Sequence, residues 1–315
     1  MKIIFLGSAD ISATVLEALS NTPDARLLAT VTQPDRPAGR RRMLTPCDCR
    51  RRALELGLKT LVPENINAPE TLATLRALKP DLIVVVAYGQ FLGNELLSLP
   101  PLGCVNLHVS LLPAYRGASP IQTAILRGET VTGVTLMQMD PGMDTGPILA
   151  TTSTPIAPEE TAGELSARLA LLAARLLIDN LPPLANRTLR PHPQDHAQAT
   201  FARKFKKQDG QLDWSRPAKE LHQRIRACNP WPGATTRLTN QPDTKILKIH
   251  RAQILPQTTI QAPPGTILDH HSEGPLVACG ANSLLLTQVQ PEGKRIMSGA
   301  DFLRGTNLPT GTRLY

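Results

Sequence analysis

The first 150 residues alternate short apolar runs with segments whose apolar positions recur at helical spacing. The run DLIVVVAY at 81–88 contains six consecutive apolar residues, which is typical of a strand covered on both faces. This alternation predicts an α/β fold with a Rossmann-like, mostly parallel sheet, in which ligands bind beyond the carboxyl ends of the strands. The predicted strands are 2–7, 27–32, 81–88, 104–109 and 131–139, the predicted helices are 11–20, 47–56, 69–78 and 119–127, and a loop rich in Pro, Gly and Arg covers 33–44.

A change of composition near residue 200 predicts a second domain. Before it, Thr161 and Glu164 match a capping box at the start of an amphipathic helix over 161–180, and several prolines follow that helix. The segment 201–210, FARKFKKQDG, is polar and basic. Beyond it, one helix and several short strands are typical of a small β-barrel. These elements are a helix over 218–228 and strands over 244–249, 266–268, 276–278 and 284–289, and the predicted domains are an α/β domain over 1–199, a basic linker over 200–210 and a β-barrel over 211–315.

Composition excludes several classes of protein. Hydrophobic residues make up 41% and charged residues 19% of the chain, a globular balance rather than a disordered one. No run approaches the ~18–20 apolar residues of a membrane span, so no membrane partner is expected. The apolar start is interrupted at Gly7, which favours a first strand over a signal peptide. Five scattered cysteines form no disulfide framework and indicate reduced thiols in the cytoplasm, and Cys47 with Cys49 lacks a second ligand pair, so no metal is expected.

The net charge of +8 is unevenly distributed. Residues 1–199 hold 18 basic and 18 acidic residues, whereas residues 200–315 hold 16 basic against 8 acidic. One dense basic patch lies in the neutral part, over 36–52, with seven arginines and only Asp48 to oppose them. Such clusters attract polyanions and make their binding sensitive to salt, although in an arbitrary protein a solvated surface kept for solubility is the more common explanation.

Candidate chemistry is concentrated in two segments. Asn106 and His108 are two residues apart near the end of a predicted strand, so their side chains share a face. The glycine-rich loop MDPGMDTGP at 139–147 adds Asp140 and Asp144 at the end of the next strand. An amide, an imidazole and a carboxylate in one crevice suit acyl transfer to an amine, with stabilisation of an oxyanion and orientation of the imidazole. A structural Asn-x-His pair and a capped turn are the alternatives, and the segment FLGSAD lacks the dinucleotide fingerprint.

The string NLHVSLLPAYRGASPIQTAILRGE, followed by TGVTLMQMDPGMDTGPIL, resembles the folate-dependent formyltransferases. The resemblance implies that Asn106 and His108 polarise the formyl carbonyl of 10-formyltetrahydrofolate, and that Asp144 tunes His108 and assists proton transfer from the attacking amine. Pro147 stands where some relatives carry an acidic residue, a minor departure. The folate contacts that the resemblance implies are Val86, Tyr88, Gly89, Ser110, Leu111, Leu112, Pro113 and Asp140.

Other segments resemble the members of this family that formylate initiator methionyl-tRNA. TQPDRPAGRRR at 32–42 is similar to their acceptor-stem loop, and RIRACNPWPGA, APPGTIL and KRIMSGADFL are similar to their OB-like tRNA-binding domain. The implied products are N-formylmethionyl-tRNA and tetrahydrofolate, made by a monomer. For Trp231, packing is favoured over stacking on a base. The rivals are a formyltransferase for a purine precursor or an amino sugar, and a non-catalytic RNA-binding protein. The implied tRNA contacts are Arg36, Arg40, Arg41, Arg42, Lys204, Lys206 and Lys207.

Overall fold

The computed structural model describes residues 1–38, 43–239, 245–256 and 262–315. The chain divides into two compact units. The first unit consists of Met1–Pro120, Val131–Pro155 and Ser166–Ala202, and the second consists of Ile121–Thr130, Ile156–Leu165 and Arg203–Tyr315.

A seven-stranded sheet forms the centre of the first unit, in the order β10-β9-β7-β6-β1-β2-β5. All neighbours from β7 to β5 are parallel, and β9 pairs antiparallel with both β7 and β10. The predicted α/β class with a mostly parallel sheet is therefore confirmed. The strands up to residue 202 are β1 Lys2–Gly7, β2 Arg26–Val31, β3 Arg36–Ala38, β4 Met43–Thr45, β5 Thr60–Leu61, β6 Leu82–Val86, β7 Cys104–His108, β8 Arg116–Gly117, β9 Val131–Gln138, β10 Ile148–Pro155 and β11 Phe201–Ala202. The helices are α1 Asp10–Ser20, α2 Asp48–Glu55, α3 Pro69–Ala77, α4 Asn94–Leu97, α5 Pro120–Arg127 and α6 Ala162–Ala185, with a 3-10 helix at His196–Gln198.

Several local features differ from the sequence prediction, which also lacked α4, β5, β8 and β11. The segment 33–44, predicted as a loop, contains the paired strands β3 and β4. The edge strand β10 was not predicted, because half of its sequence ILATTSTP is polar and none of its residues is buried. Helix α6 continues through Pro182 and Pro183. A proline inside a helix costs about 3 kcal/mol, and the burial of Leu181 and Leu184 on the same helix offsets that cost.

The core of the first unit places strand ends where a ligand can reach them. Every residue of β6 and of β7 is buried. Their parallel pairing sets Val85 beside Asn106 at one edge of the sheet. An apolar cluster joins Ile4, Val31 and Ile83 of the sheet to Leu72 and Leu75 of helix α3, and this close packing makes the sheet a rigid platform.

The second unit contains an antiparallel sheet in the order β12-β13-β16-β15-β14, with β17 paired to β16. The C-terminal segment hydrogen-bonds to both outer strands, because Ile267 N–H donates to Thr312 O at 2.8 Å and Tyr315 N–H donates to Arg237 O at 2.9 Å. The C-terminal segment therefore links the two outer strands of the antiparallel sheet, and the small β-barrel stays a prediction. The elements are α7 Ala218–Ala227, β12 Ala234–Arg237, β13 Ile246–Leu255, β14 Ile267–His271, β15 Gly274–Ala278, β16 Ser283–Pro291, β17 Met297–Ser298 and α8 Gly299–Gly305, with a 3-10 helix at Lys207–Gly210.

Candidate active site

Asn106 and His108 lie together on β7, as the alternation of a strand requires. Both are nearly buried, with 9% of Asn106 and 6% of His108 exposed. Within the described part of the chain, no hydrogen-bond partner occupies the side-chain amide of Asn106, and the residue lines a cavity of about 460 Å³. Its N–H groups are therefore available to a ligand.

The two ring nitrogens of His108 have different partners. Nε2 lies 2.9 Å from the carbonyl oxygen of Tyr115, which can only accept, so Nε2 carries a proton and donates it. Nδ1 lies 3.7 Å from Oδ2 of Asp144, which is longer than a hydrogen bond. Both nitrogens thus face oxygen atoms, Nε2 within hydrogen-bond distance and Nδ1 beyond it. The Nε2 bond fixes the ring plane, and Nδ1 is the nitrogen left for a substrate.

Asp144 is presented by the loop 139–147 in an unusual backbone conformation. Its φ is +52°, a region that residues other than glycine rarely adopt. Its Oδ2 accepts a 2.8 Å hydrogen bond from Gly117 N–H. The loop is closed on itself by Asp140, whose Oδ1 accepts from Gly142 N–H at 3.0 Å and from Thr145 Oγ1 at 2.7 Å. Asp140 therefore shapes the loop, whereas Asp144 faces the imidazole.

The turn over 110–113 is held against β9 by one buried threonine. Thr135 Oγ1 donates to Ser110 O at 2.7 Å and accepts from Leu112 N–H at 3.1 Å. The hydroxyl of Ser110 donates to Ala114 O at 2.6 Å. These bonds use the polar groups of the turn internally.

The cavity beside this cluster receives only some of the predicted folate contacts. Tyr88, Gly89 and Asp140 line it, together with the three candidate catalytic side chains. Val86 and the four residues of the turn over 110–113 are not among its lining residues. Apolar side chains complete the walls, including Phe91, Met137, Met139 and Met143.

The described residues around the cavity offer no activated covalent nucleophile. Cys104 is buried at the start of β7, and burial raises the pKa of its thiol to about 12. Burial likewise raises the pKa of Tyr88 above its ordinary value, so this phenol stays neutral. The Ser110 hydroxyl is committed to a carbonyl oxygen. None of these three groups is therefore set up as a covalent nucleophile.

Two buried residues behind the loop were not found from the sequence. Arg116 is 3% exposed and Gln194 is 6% exposed, and they hydrogen-bond to each other. Gln194 belongs to the segment RPHPQDHAQAT, which contains no motif to single it out. Only the folded chain brings it to Asp144, 50 positions away.

The basic patch over 36–52 is less basic in the structure than in the sequence. The arginines at 50, 51 and 52 are ion-paired, respectively with Asp35, with Asp48, and with both Glu17 and Glu55. Arg40, Arg41 and Arg42 lie outside the described residues. Of the remaining predicted tRNA contacts, all are exposed: Arg36, Lys204, Lys206 and Lys207.

The expectation that Trp231 packs against the protein is wrong. Its side chain was expected to pack, but the residue is 53% exposed. The other tryptophan, Trp214, is the packed one, since it is 4% exposed and its indole N–H donates to Thr236.

Over 1–38, 43–239, 245–256 and 262–315, no three His, Cys, Asp or Glu side chains form a group that could hold a metal ion. Over the same ranges, each helix is too short or too polar to cross a bilayer.

Comparison with known proteins identifies the class. A sequence model of formyl transferase matches residues 1–181, and one of the formyl transferase C-terminal domain matches residues 204–307. The chain therefore belongs to the formyl transferase family, as its motifs predict. Methionyl-tRNA formyltransferase from Roseiflexus castenholzii is 45% identical over 314 residues, covering 100% of this chain and 99% of that protein. Methionyl-tRNA formyltransferase from Myxococcus xanthus is 44% identical over 314 residues, covering 100% and 98%.

Solved structures share the fold. WlaRD, a sugar 3N-formyl transferase studied in the presence of dTDP and 5-N-formyl-THF, aligns with a TM-score of 0.64 at 17% identity, covering 94% of this chain and 99% of its own. HypX from Aquifex aeolicus in complex with tetrahydrofolic acid aligns with a TM-score of 0.63 at 17% identity. That alignment covers 96% of this chain and 47% of HypX, so the chain spans about half the length of HypX.

Proposed function

We propose that this enzyme transfers the formyl group of 10-formyltetrahydrofolate to the α-amino group of initiator methionyl-tRNA, in the cytoplasm and as a monomer. The observation that carries the formyl-transfer chemistry is the meeting of Asn106, His108 and Asp144 at one cavity. The acceptor is proposed because relatives about as long as this chain and 44–45% identical to it are named methionyl-tRNA formyltransferase. The products are N-formylmethionyl-tRNA and tetrahydrofolate.

The reaction needs a group that stabilises the oxyanion formed when the amine attacks the formyl carbon. The unpaired amide of Asn106 supplies one N–H donor. His108 supplies the second from Nδ1, because Nε2 is held by the Tyr115 carbonyl. Donors fixed in a nearly buried site stabilise developing charge without reorganising at the moment of reaction.

Asp144 has two roles in the proposed mechanism. Its carboxylate, 3.7 Å from Nδ1, helps to orient the imidazole toward the oxyanion. Its carboxylate then accepts the proton lost by the attacking amine, directly or through a water molecule. The amine must be neutral to attack, so the transfer rate falls at low pH as the amine becomes protonated.

The donor folate is proposed to occupy the cavity of about 460 Å³. Tyr88, Gly89 and Asp140 contact it, while Val86 and the turn over 110–113 act through their neighbours. In HypX and WlaRD the crystals contain tetrahydrofolic acid and 5-N-formyl-THF, which supports a folate donor for a chain of this fold.

The tRNA is proposed to contact both units. Arg36 and the arginines 40–42 bind its acceptor stem, while the exposed lysines 204, 206 and 207 bind backbone phosphates. The exposed indole of Trp231 is available to stack on a base. We therefore assign catalysis to 1–199, a basic connection to 200–210 and tRNA binding to 211–315.

The decisive experiment measures formyl transfer from 10-formyltetrahydrofolate to charged initiator tRNA. Asn106→Ala and His108→Ala should each lower kcat by about 10²–10³-fold, the usual effect of losing one oxyanion donor. Asn94→Ala, a change of the same chemistry in exposed helix α4, is the matched control and should retain wild-type kcat. Wild-type activity in both site variants would contradict the proposed chemistry.

The acceptor is tested separately by offering Met-tRNA, a dTDP-linked amino sugar and a purine-precursor amine in parallel. We expect transfer to Met-tRNA alone. Arg40→Ala should raise KM for tRNA and leave folate binding unchanged. Transfer to the amino sugar or the purine precursor without transfer to Met-tRNA would reject the acceptor but retain the formyl-transfer site, and binding of tRNA without any transfer would favour the non-catalytic rival.

A further inference from the structure

The side-chain amide of Gln194 forms hydrogen bonds through both its nitrogen and its oxygen, all within the first unit. Nε2 donates to the carbonyl oxygen of Asp144 at 2.9 Å and to that of Gly146 at 2.7 Å. Oε1 accepts from Nε of Arg116 at 3.1 Å and from a terminal nitrogen of the same guanidinium at 2.6 Å. Two donors and two acceptor positions are thereby satisfied, which is all that a primary amide offers.

Arg116 determines which way this amide points. A guanidinium only donates hydrogen bonds, so the oxygen of Gln194 must face it and the nitrogen must face the loop. The guanidinium is itself fixed, because both terminal nitrogens lie 3.2 Å from Nδ1 of His196 and the residue is 3% exposed. Its backbone N–H donates to Thr200 O at 2.9 Å.

The backbone of the loop is strained at Asp144. A residue other than glycine at a φ of +52° costs roughly 1–2 kcal/mol, and such conformations persist only where the surroundings enforce them. Gln194 binds the carbonyl of the strained residue itself and that of the residue two positions later. The other end of the strained residue is held by the bond from Gly117 N–H to its carboxylate. Gly117 directly follows Arg116, so one strand, β8, supports Asp144 from both sides.

We propose that Gln194 and Arg116 are positioning residues for Asp144: Arg116 orients the Gln194 amide, which holds the backbone of the 144–146 segment so that the carboxylate of Asp144 stays directed at His108. This inference rests on the proposed formyl transfer. Neither residue touches the reacting atoms in this arrangement. Their effect on the reaction passes through Asp144.

Three variants separate this role from general stabilisation. Gln194→Met keeps the length of the side chain and removes all four hydrogen bonds. Gln194→Glu keeps an oxygen partner for Arg116, so the fold is retained, but it removes both N–H donors to the loop. Gln198→Met makes the same change at an exposed glutamine of the same segment and serves as the control.

With 10-formyltetrahydrofolate and initiator Met-tRNA, both Gln194 variants should lower kcat by about 10²-fold, the effect expected of a misplaced catalytic group. KM for tRNA should stay near wild type, the thermal midpoint should fall less in Gln194→Glu than in Gln194→Met because Arg116 keeps its oxygen partner, and the control should keep wild-type kcat. Wild-type kcat in Gln194→Glu would overturn the proposal.

A double-mutant cycle shows whether the effect passes through Asp144. In an Asp144→Asn background, Gln194→Glu should lower kcat by less than about threefold, because the group that it positions is already disabled. An equal loss in both backgrounds would mean that Gln194 acts independently and would overturn the proposal. If the wild type transfers no formyl group to any acceptor, the proposed function fails instead. In that case, equal hydrogen exchange of the 139–147 amides in the wild type and in Gln194→Glu would overturn the positioning role on its own, and faster exchange in the variant would support it.

Discussion

Replacing a buried threonine by valine should have opposite effects on the free energy of unfolding at two positions of the same sheet. Thr135 and Thr30 are both fully buried, on β9 and β2. The hydroxyl of Thr135 bonds to Ser110 O and to Leu112 N–H. Within the described part of the chain, the hydroxyl of Thr30 is buried and has no hydrogen-bond partner. Replacing each by valine keeps the shape of the side chain and removes only the hydroxyl.

Thr135→Val should destabilise the protein and displace the turn behind the active site. It leaves a buried carbonyl and a buried N–H without partners, at about 1–3 kcal/mol each, so the loss is about 2–6 kcal/mol. Thr30→Val should stabilise by about 1 kcal/mol, because it removes a hydroxyl whose burial is uncompensated. Because both hydroxyls are equally buried, the sign of the change in stability depends on whether the hydroxyl has hydrogen-bond partners.

Urea unfolding followed by far-UV circular dichroism measures both variants. The midpoint should fall for Thr135→Val and rise slightly for Thr30→Val, with unchanged slopes. Formyl transfer should fall only in Thr135→Val, since Thr135 supports the turn that follows His108. Midpoints that move in the same direction by similar amounts would refute the argument from hydrogen-bond partners.

Three further predictions concern other parts of the chain. The hydrogen bond from Thr161 N–H lowers the pKa of the Glu164 carboxyl, so the ionised carboxylate stabilises helix α6 at pH values above the ordinary pKa of a glutamate. Glu164→Gln should therefore lower the free energy of unfolding by about 0.5–1 kcal/mol at pH 7. In urea titrations this loss should vanish as the pH falls through the lowered pKa. Gly146→Ala should abolish formyl transfer, because a Cβ there would lie 1.8 Å from a carbonyl oxygen of β9, whereas Gly305→Ala meets no atom within 4 Å and should keep wild-type activity; an active Gly146→Ala would contradict this. Brief iodoacetamide treatment at pH 8 should modify Cys47 first, as measured by peptide mass spectrometry. Burial raises the pKa of the other four thiols to about 12, and labelling of these cysteines as fast as Cys47 would contradict that: Cys49, Cys104, Cys228 and Cys279.

Much of the fold was predictable because its elements are locally consistent. The run at 81–88 is almost uniformly apolar and the stripe at 161–180 has helical periodicity, and each formed the predicted type of element. Strand β10 was missed because an exposed edge strand needs no apolar alternation and is defined by its pairing with β9. Helix α6 extends beyond its predicted end because the burial of its leucines against distant residues outweighed the local effect of two prolines.

The sequence by itself determined the pair Asn106 and His108, since the two-residue repeat of a strand places both on one face. It also determined the family, through motifs that run in order along the chain. Only the tertiary structure decided which nitrogen of His108 is free, because that depends on the carbonyl of Tyr115. It alone paired the arginines at 50–52 with acids such as Glu17, and it alone brought Gln194 to Asp144. These are contacts between distant residues, and side-chain chemistry becomes specific only when the packed chain fixes the partner.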